Sequence, residues 1–351
     1  GLHYGAFIIE AKGAIEGAEL IGETVSDYTI TAGDVKLDIA DLEKKYDAVL
    51  EPIFKNSLPE MPRPVSVAYD KGCDLLTNKA PGTIAKPKVL IPVFPGTNCE
   101  YDMAAAFNRY GGEAEIFVIR NLSAKNMEDS VNEFAKRIED SQMIAVPGGF
   151  SGGDEPEGSA KFINAFFRNP KIKDAVENML YARDGLMIGI CNGFQALIKL
   201  GLVPFGKIVP LSSESPTLTY NTIGRHQSQL ALTKICTNKS PWLMHCKVGE
   251  VYNIPISHGE GRFVASDEVI AKLIENGQIA TQYVDLNGEP TMDLAYNPNS
   301  SMCAIEGIIS PDGRVLGKMG HTERISSDTC VNVDGNKEQL LFKGGVDYFR
   351  I

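Results

Sequence analysis

The sequence predicts an α/β protein built on a doubly wound, mostly parallel sheet, preceded by a small α+β piece and a linker. Three observations carry that expectation. From residue 87 onward, short apolar runs of strand type alternate with amphipathic helical stretches. Gly-rich turns stand at the ends of several of those runs. Ahead of them lie a Pro-rich polar segment and an N-terminal stretch with a different grammar.

In residues 1–55, Tyr4–Glu10 and Tyr28–Thr31 read as strands, and Leu37–Ile39 continues the pattern after the turn Ala32-Gly33-Asp34. Asp41–Leu50 reads as a helix that stops before Pro52. So few elements bury little, so this piece is expected to lean on a larger body. Residues 56–86 lack periodicity and are rich in Pro and polar residues, as a linker would be. Residues 87–351 then form the main domain. Lys88–Phe94, Ala114–Arg120, Met143–Val146 and Leu186–Ile190 read as strands. Glu100–Tyr110, Ala124–Glu139, Lys161–Phe167, Lys173–Ala182 and Gly193–Leu200 read as the helices between and after them. Further β runs follow, including Gln229–Cys236 and Glu250–Ile256.

Composition narrows the class of function. A net charge of −11 over 351 residues argues against a general nucleic-acid binder, which would carry a basic stripe. No apolar run is long enough for a membrane span, and the N-terminus lacks a secretory signal, so a cytoplasmic protein is expected. Seven Cys without a CxxC pair fit a reducing compartment rather than a disulfide framework or a zinc site, so no metal is expected. The chain starts without Met and has no GxxxxGK[ST] phosphate loop, so it is expected to be the C-terminal piece of a longer protein.

The most informative stretch is Leu186-Met-Ile-Gly189-Ile-Cys191-Asn192-Gly193-Phe-Gln195. An apolar strand runs into a Cys, then a Gly two residues on, then a helix. Such an elbow needs small neighbours, and it puts the thiol at a helix N-terminus, where the dipole and the amide groups favour thiolate. A lone Cys is more often an inert core thiol, and the elbow is what argues otherwise. A second turn, Pro147-Gly148-Gly149-Phe150-Ser151-Gly152-Gly153-Asp154, follows another strand. Its amides form a potential anion nest, although a plain flexible loop has the same composition. Cys99 also stands near a strand end, but it lacks the Gly-x-Cys-x-Gly elbow. A Cys nucleophile needs a base. Of the five His, two have Glu at i+2: His258 with Glu260, and His321 with Glu323. In extended chain either Glu faces its imidazole, and residue chemistry alone does not choose between them.

These residues together resemble the class I (triad) glutamine amidotransferases, and more narrowly the glutaminase domain of phosphoribosylformylglycinamidine synthase. The likeness rests on Phe94-Pro-Gly-Thr-Asn-Cys99-Glu, Pro147-Gly-Gly-Phe-Ser151, Gly189-Ile-Cys191-Asn-Gly-Phe-Gln195 and His258-Gly-Glu260-Gly-Arg262. Asn297-Pro-Asn-Ser-Ser301, Ala304-Ile-Glu-Gly-Ile308 and the run from Ser310 to Arg324 extend it, so that it covers Lys88 to the C-terminus. Residues 1–55, through Gly17-Ala-Glu-Leu-Ile-Gly22, resemble more weakly the end of the synthetase part of the single-chain form.

The resemblance implies a flavodoxin-like fold and a reaction. Glutamine is hydrolysed to glutamate and ammonia, and the ammonia converts ATP-activated formylglycinamide ribonucleotide to the amidine. It implies Cys191 as nucleophile, His321 as base and Glu323 as the group that orients it. Amides near Gly148, Gly149, Phe150 and Asn192 would hold the oxyanion, and Gln195 the amino-acid end of the substrate. His258, Glu260 and Arg262 belong to a motif of less defined role. No cofactor is implied on this chain; ATP and Mg would bind the upstream synthetase part, the expected partner. Thr322 departs from the Pro that the family often has between the triad His and Glu. Two other readings are a glutaminase serving a different pathway and a silent module that docks a synthetase.

Overall fold

The computed structural model describes residues 4–55, 58–59, 61–77, 84–153 and 159–350. His3, the Asp154 end of the Gly-rich turn, and positions 56, 57, 60 and 78–83 of the expected linker lie outside the described residues. The chain divides into two units, Gly1–Asn56 and Ser57–Ile351.

In the first unit, β1 (Thr29–Ala32) and β2 (Val35–Asp38) form an antiparallel hairpin. Helix α1 (Ile39–Ala48) follows, with the Asp38 carboxylate capping it by accepting from the Asp41 amide. The strand expected at Tyr4–Glu10 is absent. A short apolar run is present there, but no described strand lies beside it to take up its backbone groups.

The second unit begins with a segment that the sequence reading treated as linker. It is instead bound to the sheet. The Val67 amide donates to Gln282 Oε1 (2.9 Å), Gln282 Nε2 donates to the Val65 carbonyl (3.0 Å), and the Tyr69 amide donates to the Cys236 carbonyl (2.8 Å). Val67 and Cys73 are buried, and a short helix α2 (Asp74–Thr77) follows. Lack of periodicity was misleading, because an extended segment pinned by a buried Gln needs none.

The alternation then runs β3 (Lys88–Val93), α3 (Glu100–Arg109), β4 (Glu113–Val118), α4 (Ala124–Asp140), β5 (Met143–Val146), α5 (Lys161–Phe167), α6 (Pro170–Glu177), β6 (Leu186–Ile190), α7 (Asn192–Leu200) and α8 (Leu202–Phe205). After these come β7 (Thr217–Thr219), β8 (Gln227–Ile235), β9 (Val251–His258), β10 (Arg262–Val264), α9 (Asp267–Glu275), β11 (Ile279–Tyr283), β12 (Ile305–Ile309), β13 (Val315–Lys318) and α10 (Leu341–Asp347). Helix α6 passes into a π-helical turn at Asn178–Ala182, so the helix expected at Lys173–Ala182 starts earlier and ends wider.

Among the described residues nine strands form the main sheet, in the order β4-β3-β5-β6-β13-β12-β11-β8-β9. The first five are parallel and the pairings from β13 to β9 are antiparallel. The parallel half is doubly wound: its first strand in the chain, β3, lies between the second and the third. Ligands of such sheets bind beyond the carboxyl ends of the strands, at that reversal. Every residue of β5, β6 and β13 is buried, so both faces of the sheet centre are covered. β7 and β10 pair separately. No helix among the described residues is long and apolar enough to cross a membrane.

Phe134 of α4 anchors the helical layer. Its ring lies 5.4 Å from Phe117, 5.4 Å from Phe166 and 5.9 Å from Phe167, and it is fully buried. Phe134→Ala is expected to lower unfolding free energy by about 3–5 kcal/mol, read as a drop in the urea midpoint.

Candidate active site

Four loops meet at the carboxyl edge of the parallel strands. Strand β6 delivers Cys191, β5 delivers Pro147–Ser151, β3 delivers Pro95–Cys99, and β13 delivers Met319–Arg324.

Cys191 takes φ 52° and ψ −106°, a positive-φ conformation that a residue with a Cβ avoids unless its surroundings enforce it. Two contacts enforce it. The Cys191 amide donates to the Lys318 carbonyl at 2.8 Å. Helix α7 then starts so close to β5 that a Cβ at Gly193 would meet the Val146 oxygen at 2.0 Å, and one at Gly189 would meet the Gly193 backbone at 2.6 Å. The thiol is nearly buried, with Sγ 3.6 Å from the Ser257 carbonyl of β9.

His321 stands against it. A Cβ at Gly148 would lie 2.8 Å from His321 Cε1, 3.2 Å from Cys99 Sγ and 3.4 Å from Cys191 Cβ, so these three side chains close around a position only Gly fits. His321 Nδ1 lies 2.6 Å from Glu323 Oε1, and both side chains are buried. The pair is carried on a 3-10 turn (Thr322–Arg324) rather than on extended chain. Burial alone would push the His321 imidazole toward neutrality. The Glu323 carboxylate and the nearby Cys191 outweigh it and hold His321 well above its ordinary range. Nε2 has no hydrogen-bond partner among the described residues.

The other His-x-Glu pair is built differently. His258 is fully buried, and neither ring nitrogen has a partner among the described residues. Burial, and then the neighbouring imidazoles of His321 and His226, push it down to about 3. Glu260 turns away from it. Its Oε2 accepts the Ser159 amide at 3.1 Å, and its carbonyl accepts from Gln195 Nε2. The i+2 spacing therefore makes a dyad at His321 and none at His258. Arg262 lies on β10, with its Nε lacking a partner among the described residues.

The expected oxyanion donors divide. The Phe150 amide donates to the Gly96 carbonyl at 2.9 Å, and the Asn98 amide donates to the Gly148 carbonyl at 3.3 Å. These two bonds form a small antiparallel bridge between Thr97 and Gly149. Phe150 is thus committed to the loop, which corrects the expectation for its N–H; the Gly149 amide lies outside that ladder. Asn192 Oδ1 accepts from Ser151 Oγ (2.7 Å), and Asn192 Nδ2 donates to Gln195 Oε1 (2.9 Å), which ties the two turns together.

Cys99, which lacks the elbow, and Arg324, which is not among the expected site residues, both join the site. Cys99 Sγ receives Arg324 Nη2 at 3.0 Å and lies 3.9 Å from His321 Nδ1. Cys99, His321 and Glu323 bring three potential metal donors within 4.8 Å. The Arg324 guanidinium already occupies the thiol, and Glu323 already holds the imidazole, so the donor set suits a hydrogen-bonded dyad better than a cation. The available signal was an Arg immediately after the late Glu and a Cys closing the β3 turn.

Residues 86–349 match the family model described as a CobB/CobQ-like glutamine amidotransferase domain. The chain is 34% identical over 262 residues to phosphoribosylformylglycinamidine synthase subunit PurQ of Chlorobium chlorochromatii, covering 72% of this chain and 93% of that relative. With the subunit of the same name from Aquifex aeolicus it is 33% identical over 249 residues, 71% and 95% of the two chains. Among solved structures, a chain of PurLQS from Thermotoga maritima is similar at 26% identity and a TM-score of 0.52, covering 75% of this chain and 99% of that one.

His258 should leave a mark on acid stability. It is neutral in the fold and takes a proton near the ordinary 6.5 once unfolded. The unfolded state therefore binds the extra proton between those limits. The stability at stake is complete above about 6.5 and is lost as pH falls toward about 3, by up to about 1.4 kcal/mol per unit. His258→Gln should flatten that part of the urea-stability profile; parallel profiles would show that His258 is not held neutral.

Proposed function

The chain belongs to the CobB/CobQ-like glutamine amidotransferase family, and from that premise we propose that it is the glutaminase of phosphoribosylformylglycinamidine synthase. It hydrolyses glutamine to glutamate and ammonia, and the ammonia serves the ATP-dependent conversion of formylglycinamide ribonucleotide to its amidine. The observation that carries this reading is the strained Cys191 elbow set against the buried His321–Glu323 dyad.

The chemistry follows from that arrangement. The proton of the Cys191–His321 pair lies on His321, and Sγ attacks the side-chain amide carbon of glutamine. The C–S bond forms as the carbonyl electron pair moves onto oxygen, where the amides of Gly149 and Asn192 receive the charge. When the intermediate collapses, His321 returns its proton to the departing nitrogen, and ammonia leaves a γ-glutamyl thioester. Water, deprotonated by His321, then cleaves the thioester to glutamate and the free thiol. Glu323 keeps the imidazole oriented with Nε2 toward the reacting atoms. Gln195 is the residue proposed for the amino-acid end, its side chain held between Asn192 Nδ2 and the Glu260 carbonyl.

The acceptor chemistry belongs to a synthetase part, where ATP and Mg bind. The relatives are named as subunits of phosphoribosylformylglycinamidine synthase, which supports a synthetase partner. Residues 1–55 are assigned to the end of that part within one polypeptide, with residues 87–351 as the glutaminase. The first unit supports this assignment: it lies outside the family match and exposes its apolar residues, Phe7, Ile8, Leu20 and Ile21 among them. The reading places the enzyme in the cytoplasm.

Glutamate release is the direct assay. Cys191→Ser should abolish it while leaving the fold intact. His321→Ala should lower turnover by roughly 10²-fold or more, and His258→Ala by much less. An electrophilic glutamine analogue should label Cys191, located by peptide mass spectrometry; labelling mainly at Cys99 would refute the site. Amidine should form from ATP and the ribonucleotide only when a synthetase is added.

A further inference from the structure

Beneath the dyad lies a charge pair that the reaction does not use. Lys318 closes β13 and Glu306 lies in β12. Their side chains are 1% and 0% exposed, with Nζ and Oε1 3.6 Å apart. A buried ion pair seldom stabilises a fold more than apolar side chains of equal size would, so its contacts are the place to look for its role.

Those contacts converge on the turn that carries His321. Glu306 Oε1 accepts the Gly320 amide at 2.6 Å, and its Oε2 accepts from Thr281 Oγ1. Lys318 Nζ donates to the Gly320 carbonyl at 3.3 Å and to Thr322 Oγ1 at 2.8 Å. Thr322 Oγ1 donates in turn to Gln339 Oε1 at 2.8 Å. The residue before His321 is therefore held at both its amide and its carbonyl, and the residue after it by its side chain. Lys318 also reaches the nucleophile, because its carbonyl is the acceptor for the Cys191 amide. One buried residue thus touches both the elbow and the dyad turn.

We propose that Lys318, Glu306 and Thr322 are positioning residues that hold the His321–Glu323 turn in register with Cys191. They touch neither substrate nor reacting atoms. What that register serves rests on the glutaminase reading; the register itself is a property of the fold. A Thr at 322 contributes through its hydroxyl, which is at once the acceptor for Lys318 and the donor to Gln339.

The test compares Thr322→Val, which keeps shape and loses the hydroxyl, with Thr322→Ser, which keeps the hydroxyl. Two readouts are taken on the whole chain: glutaminase kinetics, and the rate of Cys191 alkylation by iodoacetamide followed by peptide mass spectrometry. In Thr322→Val kcat should fall about tenfold, while KM for glutamine stays within about twofold, as expected when geometry rather than binding is lost. Alkylation of Cys191 should slow by a similar factor, because thiolate depends on the adjacent imidazolium. Thr322→Ser should restore both to within about twofold of the parent. A second variant, Lys318→Met with Glu306→Gln, removes both charges together, leaves no buried ion unpaired, and should act in the same direction. Unchanged kcat and alkylation in Thr322→Val, or a raised KM with kcat intact, overturns the proposal. An inactive parent whose alkylation still slows in Thr322→Val would overturn the glutaminase reading and leave the positioning role standing.

Discussion

The amide of Cys191 donates to the carbonyl of Lys318 across 2.8 Å, at the carboxyl ends of β6 and β13. That bond fixes where the chain must turn. β6 cannot continue as a strand beyond it, because α7 begins directly against β5, and the approach leaves no room for a Cβ at Gly189 or Gly193. The positive φ of Cys191 is the geometric result. Strain at one residue persists only where the surrounding packing over-determines it. Here the packing is the fully buried centre of a nine-stranded sheet. The rest of the site takes its coordinates from that point.

Two histidines at the same spacing from a glutamate show how environment divides identical sequence signals. His321 gains a carboxylate at 2.6 Å, and that attraction outweighs the burial that would neutralise it. His258 is as deeply buried but has no carboxylate partner among the described residues, because Glu260 is spent on the Ser159 amide, and it stays neutral. The two rings are close enough for the charge of His321 to contribute to that neutrality. A protonated ring and a neutral one side by side cost less than two cations in one buried site.

Much of the parallel half is legible because β5 and β6 are apolar runs ended by a Gly-rich turn or a helix start; β13, which joins them in parallel, lies in a stretch with no such signal and is not among the expected strands. Met143–Val146, Leu186–Ile190 and Lys161–Phe167 fall where the pattern puts them. Tyr4–Glu10 has the apolar run of a strand without being one, because such a run forms a strand only where a neighbour exists to pair with it. The segment around Val67 was misread for the opposite reason: its partner is a side chain, Gln282, more than two hundred residues away. In the site, the elbow and the two His-x-Glu pairs could be seen, since each lies within a few residues. The Arg324–Cys99 contact and the commitment of the Phe150 amide to Gly96 could not. The second depends on β3 standing next to β5, and the first on the loops after β3 and β13 meeting at one sheet edge, facts of sheet order that no local pattern encodes.

Sheet order also explains why the antiparallel strands belong to the site rather than to its surroundings. A parallel half alone would place Cys191 and the Gly148 turn at its carboxyl edge and leave the dyad turn held from one side. β12 pairs antiparallel with β13 and supplies Glu306 to the Gly320 amide. At the far edge of the sheet order, β9 reaches the same loops through the Pro255 carbonyl, which accepts the His321 amide at 2.8 Å, and the Ser257 carbonyl, which faces Cys191 Sγ. A sheet with right-handed twist and this many strands curls, so its edge strand can return over the carboxyl ends of its centre. The base is thereby clamped between β13, which also anchors the nucleophile, and β9. A shift of either strand would move His321 relative to Cys191, and the buried polar contacts at Gly320 and Thr322 oppose that shift because leaving any of them unpaired in the interior is costly.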